Sequence, residues 1–298
     1  MENFKFAFWG TPEVSSKTLD ILFNDGYIPK IIITSPESRS GRGMHINKTP
    51  VEVWAIEHNI KCLKPEKIND DFIKEFNNFN IDLSIVVAYG KILPENIIKL
   101  PKLGTINIHY SLLPKYRGAS PLEGALLNGD TTTGISIQQM VFKLDSGPII
   151  KEIEVPIDID VTKEELRASL IKLGGEALCD VLPDIYNQNI NPKYQEEEKA
   201  TFCKKIKKED GLINPSINQK ENYNKYRAFY GWPGVYFFIK KDNKDIRIKI
   251  VKAKYENDSF IIERVIPEGK KEISYKDFLK SNILKYKDFF LISLLTFF

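Results

Sequence analysis

Cysteine is scarce in this 298-residue chain: Cys62, Cys179 and Cys203 lie far apart and form no CxxC pair. That argues against a disulfide framework and a cysteine-rich zinc site, so no metal is expected and a cytoplasmic setting is the natural expectation. Long apolar runs are missing as well. The longest, Phe289–Phe298, falls far short of the ~20 residues that a membrane-spanning helix needs. No basic start followed by an apolar run and a small-residue cleavage site is visible, so neither a membrane partner nor a secretory leader is expected. The first strand-to-helix turn holds one glycine, Gly10, where a dinucleotide site needs GxGxxG. No internal repeat is present.

What is there reads as globular, with 42% hydrophobic and 28% charged residues. The apolar run Phe4–Trp9, a helical stretch Val14–Asn24 and the strand Ile28–Thr34 make a β-α-β opening, which predicts a Rossmann-like, mostly parallel sheet. That α/β domain is expected over residues 1–187. A polar linker follows at 188–203, with Pro192 and the run Glu196-Glu197-Glu198. Beyond it, short alternating segments separated by Asp-Asn, Glu-Asn-Asp and Pro-Glu-Gly turns predict a small OB-like antiparallel β-barrel over 204–298. Charge divides along the same line. Residues 1–203 carry 22 Lys+Arg against 28 Asp+Glu, a net −6, and residues 204–298 carry 21 against 12, a net +9. A basic final third on a mildly acidic body suits a polyanionic partner.

The stretch Thr105–Gly118, TINIHYSLLPKYRG, organises the whole. Its first residues favour a strand, on which Asn107 and His109 share one face. An amide beside an imidazole at a strand end can polarise a carbonyl and move a proton, although both residues also suit a plain strand end. Asp145, in the turn Lys143–Gly147 between two strands, is by default a turn former. It gains a chemical role where the fold sets its carboxylate beside His109 and so favours the protonated imidazole. The loop Ser35–Thr49 follows the second strand, where α/β sheets place their ligands, and it carries Arg39, Arg42 between two glycines, and Lys48.

Asn107-x-His109-x-Ser111-Leu112-Leu113-Pro114, followed by Tyr116-Arg117-Gly118, resembles the signature of the 10-formyltetrahydrofolate-dependent formyltransferases. Other pieces recur in order: Phe8–Pro12, Gly41-Arg42-Gly43, Val87–Pro94, Leu144–Gly147, Lys208–Gly211, Arg227-Ala228-Phe229, Trp232-Pro233-Gly234 and Pro267–Lys271. Taken together they make the chain similar to the methionyl-tRNA branch of that family. The resemblance implies formyl transfer from 10-formyltetrahydrofolate to the α-amine of methionyl-initiator tRNA, for translation initiation, by a monomer. It implies Asn107, His109 and Asp145 as the catalytic set. Ser111, Leu112, Leu113 and Pro114 are implied along the folate pocket, with Tyr89 and Gly90 helping to line it, and Arg39, Arg42 and Lys48 against tRNA.

Three departures bear on that reading. Met44-His45 follow Gly43 where the family continues with lysines, Tyr110 takes the place of a small residue and is expected to narrow the pocket, and Lys143 replaces a glycine or acidic pattern. The tail after Ser281, with its apolar stretch Asp288–Phe298, matches nothing. Rival readings are an N-formyltransferase acting on an amino sugar or purine precursor, a formyltetrahydrofolate hydrolase, and a non-catalytic RNA-binding protein. The basic C-terminal part argues against the two enzymes, and the presence of all three catalytic candidates argues against the last.

Overall fold

The computed structural model describes residues 4–40 and 45–283, with the backbone alone over 38–40, at 45–46 and at 282–283. In chain order it runs β1 (Phe6–Gly10), α1 (Glu13–Asn24), β2 (Ile31–Ile33), β3 (Ser38–Ser40), β4 (His45–Asn47), α2 (Pro50–Glu57), β5 (Cys62–Leu63), α3 (Asp70–Asn77), β6 (Leu83–Val87), α4 (Glu95–Ile98) and β7 (Thr105–His109). There follow β8 (Arg117–Gly118), α5 (Pro121–Asn128), β9 (Thr132–Gln139), β10 (Ile149–Pro156), α6 (Lys163–Tyr186) and β11 (Phe202–Cys203). The chain continues with α7 (Gln219–Ala228), β12 (Val235–Lys241), β13 (Lys244–Glu256), β14 (Ser259–Pro267), β15 (Ile273–Ser274) and α8 (Tyr275–Ile283). Two compact units divide it. One comprises Met1–Pro121, Thr133–Val155 and Arg167–Cys203, the other Leu122–Thr132, Pro156–Leu166 and Lys204–Phe298.

The first unit holds a seven-stranded sheet in the order β10-β9-β7-β6-β1-β2-β5. β1 pairs in parallel with β2 and β6, β2 with β5, and β6 with β7, whereas β7 pairs antiparallel with β9. Strands buried on both faces carry almost nothing but apolar residues, and every residue of β1 and β6 is buried. Trp9 anchors the core, its ring 5.3 Å from Phe76 and from Tyr89, with its indole N–H donating to Ser84 Oγ at 3.1 Å. Helix starts follow the side-chain chemistry at their caps. Thr49 accepts from Glu52 N ahead of Pro50, Asn69 accepts from Phe72 N, and Thr162 exchanges bonds with Glu165 at the head of α6.

The chain leaves β1 first toward β2 and β5, and later returns on the other side through β6 and β7. The order therefore reverses between β1 and β6, and an open α/β sheet binds its ligands outside the carboxyl ends at such a point. The loops there are laced together: Thr11 Oγ1 donates to the Tyr89 carbonyl at 3.0 Å and Ser15 Oγ to that of Val87 at 2.6 Å.

Two expectations change, and a third is filled in. The Ser35–Thr49 loop contains an antiparallel hairpin, with Ser38–Ser40 against His45–Asn47. Residues 188–203, expected as a linker, lie within the first unit: Lys193 bridges to Ile149 and β11 pairs with β8. The small antiparallel β domain is a four-stranded sheet, β12-β13-β14-β15, and Leu212 bridges in parallel to Tyr236 on its β12 edge. Its turns at Asp242-Asn243 and Asn257-Asp258 have two residues each at positive φ, which suits tight hairpins. At β15 the chain turns directly into α8, with Ser274 Oγ capping Asp277 N. The tail Asp288–Phe298 lies outside the described residues.

Candidate active site

β7 carries the amide and the imidazole to the carboxyl edge of the sheet. Its register sets Asn107 between Val86 of β6 and Gln138 of β9, and His109 opposite Ser136. Asn107 is half-buried, and among the described residues its amide makes no hydrogen bond. His109 is buried at 5% exposure. Its Nε2 lies 2.9 Å from the Tyr116 carbonyl, which can only accept, so Nε2 carries a proton and the neutral ring keeps a free Nδ1. Burial holds the imidazole pKa below its ordinary value, while the Asp145 charge and the Tyr116 carbonyl oppose that shift.

Asp145 does reach this histidine. Its Oδ2 stands 3.8 Å from His109 Nδ1, too far for a hydrogen bond and close enough for charge to matter. The carboxylate is fixed from two sides, by Gly118 N on Oδ2 at 2.8 Å and by Gln138 Nε2 on Oδ1 at 3.2 Å. Asp145 itself has φ +44°, a left-handed conformation unusual for a residue other than glycine. The turn also needs Gly147, where a Cβ would collide with the Gln139 carbonyl.

The signature loop folds tightly onto this strand end. Ser111 is fully buried, and Ser136 Oγ links it to its neighbour by donating to the Ser111 carbonyl at 2.8 Å and accepting from Leu113 N at 3.0 Å. Leu112 is half-buried, and Leu113 is buried ahead of the cis peptide bond to Pro114. Tyr89 stands apart from its expected place. Its ring lies in the core at 2% exposure and its phenol is pushed up to about 12 by burial, so only the backbone from Ala88 to the exposed Gly90 faces the sheet edge. Tyr110 does not narrow the site either. One residue on from His109, it turns to the opposite face and lies against Gly174 of α6. Arg39 sits in the hairpin, Lys48 is exposed just beyond it, and Arg42 lies outside the described residues.

Sequence reasoning missed the residues that hold the site. Gln138 and Ser136 are polar yet 1% and 0% exposed on a central strand, and that alternation was the available signal. Arg117 is wholly buried and paired with Gln195 and Glu197, which lie in the supposed linker. Among the described residues no group of three His, Cys, Asp or Glu side chains is placed to hold a metal ion. No helix there is long and apolar enough to cross a membrane.

Comparison with known proteins fits this geometry. Residues 6–182 match the formyl transferase family model, and residues 205–261 match the model of the formyl transferase C-terminal domain. A methionyl-tRNA formyltransferase of Sulfurihydrogenibium sp. (strain YO3AOP1) is 41% identical over 254 residues, covering 84% of this chain and 80% of its own. That of Thermotoga maritima is 39% identical over 236 residues, covering 79% and 75%. Among solved structures, an N-formyltransferase from Helicobacter canadensis, in complex with folinic acid and dTDP-3-aminofucose, superposes with a TM-score of 0.65 at 18% identity, over 91% of this chain and 98% of its own. The methionyl-tRNA formyltransferase from Clostridium thermocellum does so with 0.55 at 17% identity, over 91% and 99%. At those identities the structures speak for the fold.

Proposed function

The chain belongs to the methionyl-tRNA formyltransferase family, and we propose that it moves the formyl group of 10-formyltetrahydrofolate to the α-amine of methionyl-initiator tRNA. The observation that carries the chemistry is the trio itself: an amide and a neutral imidazole on one strand face, with a carboxylate 3.8 Å from the ring. The neutral amine attacks the formyl carbon and a C–N bond forms. Negative charge gathers on the formyl oxygen, toward which the Asn107 amide donates. His109 takes the amine proton on Nδ1, and the nearby Asp145 carboxylate stabilises the imidazolium. The C–N10 bond then breaks and the proton passes to the folate nitrogen that leaves. Ser111 to Pro114 and the backbone at Gly90 border the carboxyl-edge crevice in which the folate lies.

The test is formyl transfer to methionyl-initiator tRNA, with methionyl-elongator tRNA and an amino sugar nucleotide as parallel acceptors. Transfer to the initiator alone is the expected result. Tetrahydrofolate release without transfer indicates a hydrolase, and transfer to the amino sugar alone indicates the other branch of the chemistry.

Arg39, Arg42 and Lys48 form the tRNA-contacting loop, and the +9 charge of residues 204–298 adds phosphate contacts that position the acceptor without reading its sequence. Affinity for tRNA therefore falls steeply with salt. In the exposed turn formed by residues 268–271, Lys270→Gln together with Lys271→Gln is expected to weaken tRNA binding a few-fold. It should also lower the slope of log Kd against log salt by about one for each phosphate left without its lysine. A weaker complex with an unchanged slope would remove the charge argument.

A further inference from the structure

The side-chain amide of Gln195 uses every hydrogen-bonding position it has. Nε2 donates to the Asp145 carbonyl at 2.9 Å and to the Gly147 carbonyl at 2.7 Å. Oε1 accepts from Arg117 Nε at 3.1 Å and from Nη2 at 2.8 Å. A side-chain amide offers two donors and an oxygen with two lone pairs, so nothing is left over and its orientation is fixed. Two of those bonds grip the turn that carries Asp145.

The other two tie that turn to the signature loop. Arg117 is wholly buried, and its Nη1 reaches both Glu197 oxygens at 3.1 and 3.0 Å. Glu197 also takes Lys143 Nζ at 2.5 Å, and Lys143 belongs to the same turn as Asp145. Its carboxyl lies below the usual carboxylate range because Lys143 and then Arg117 hydrogen-bond to it. The residue after Arg117, Gly118, gives its N–H to the Asp145 carboxylate. Gln195 and Glu197 thus brace both the backbone that carries the carboxylate and the backbone that binds it.

We propose that Gln195, assisted by Glu197, is a positioning residue for the formyl-transfer reaction, holding Asp145 in the left-handed conformation that aims its carboxylate at His109. The left-handed backbone at Asp145 is unfavourable for a side chain and persists where its surroundings hold it. Gln195 fastens the carbonyl of that residue while Gly118 and Gln138 fasten its carboxylate. With Gln195 removed, the peptide after Asp145 loses its anchor and the carboxylate leaves the 3.8 Å position beside the imidazole. The polar run at 196–198 therefore serves the site through one of its three glutamates.

The inference rests on the roles proposed above for His109 and Asp145, and a double-mutant cycle separates the two. The measurements are kcat, both KM values, the pH dependence of kcat/KM and the thermal midpoint for Gln195→Ala, Asp145→Asn and the pair. Gln195→Ala is expected to lower kcat about 10-fold to 100-fold, as a misplacement of about 1 Å does, with both KM values within about twofold of wild type. Its acid limb should move to lower pH, because the carboxylate that raises the imidazole pKa has moved away. The double variant should be no slower than Asp145→Asn alone, since Gln195 acts through that carboxylate. Additive losses, or a kcat unchanged in Gln195→Ala, overturn the positioning role. Wild-type activity in Asp145→Asn overturns the reading of the site instead. If Gln195→Ala unfolds, Gln195→Glu keeps the shape and the bonds to Arg117 but sets an acceptor against two carbonyls. The same kcat loss and acid-limb shift are expected of it, and their absence in that folded variant equally overturns the proposal.

Discussion

His109→Ala is expected to cut formyl transfer by about a thousandfold or more in kcat, within the range that a positioned proton carrier supplies. The affinity for tRNA should stay within about twofold, because phosphate contacts lie elsewhere in the chain. The ring is buried, and burial keeps it neutral at pH 7 with Nδ1 free to receive a proton. Wild-type kcat/KM should therefore hold its plateau as pH falls through the ordinary histidine value of ~6.5 and decline only below it. Asp145→Asn removes the charge that opposes the burial effect, so its acid limb moves to still lower pH. Stability follows the same sign. A folded-state pKa below the unfolded one means that His109 contributes stability above pH ~6.5, which is lost as pH falls toward the folded value, and His109→Gln should flatten that part of the profile. Single-turnover transfer across pH, beside tRNA binding by filter retention, checks both claims. A drop in tRNA affinity that matches the drop in rate removes the proton-transfer role.

The strand that carries the chemistry was open to inspection in the sequence because two-residue spacing survives any packing detail. Asn107 and His109 share a face wherever β7 forms. The loop positions were harder to read. Asp145 stands beside His109 with its carboxylate held by Gly118 and Gln138, and nothing in an Asp-Ser-Gly turn announces either partner. Arg117 hid for a different reason. Arginine is rarely buried unless paired, and the groups that satisfy this one, Gln195 and Glu197, sit in a stretch whose charge reads as solvated. Tyr89 was misplaced through its backbone. Ala88 adopts φ +48°, and after that turn the tyrosine ring packs on Trp9 while Gly90 is left at the edge. The C-terminal part was easier, because alternating segments between two-residue turns read directly as antiparallel strands, and β12 to β15 are those strands.

Asn107→Ala is expected to lower kcat by about 10²-fold to 10³-fold, the usual loss for one oxyanion donor. The position is favourable for a clean measurement. The backbone of Asn107 is held in register between Val86 and Gln138, and among the described residues its side chain makes no hydrogen bond that substitution would break. The thermal midpoint should therefore move little, and the lost activity reports on the transition state rather than on folding. Asn107→Asp sharpens the test. It keeps the size of the side chain but replaces two N–H donors with an acceptor-only carboxylate, which repels a developing oxyanion. If the amide stabilises that charge, the aspartate variant is at least as slow as the alanine variant although it is the closer match in shape. If the amide only fills space or binds ground-state formyl-folate, aspartate retains more activity than alanine, or the change falls on KM for the folate with kcat intact. Steady-state kinetics on the two variants, with tRNA and folate varied in turn, distinguish these outcomes, because a donor that acts only on the tetrahedral state has nothing to contribute to KM.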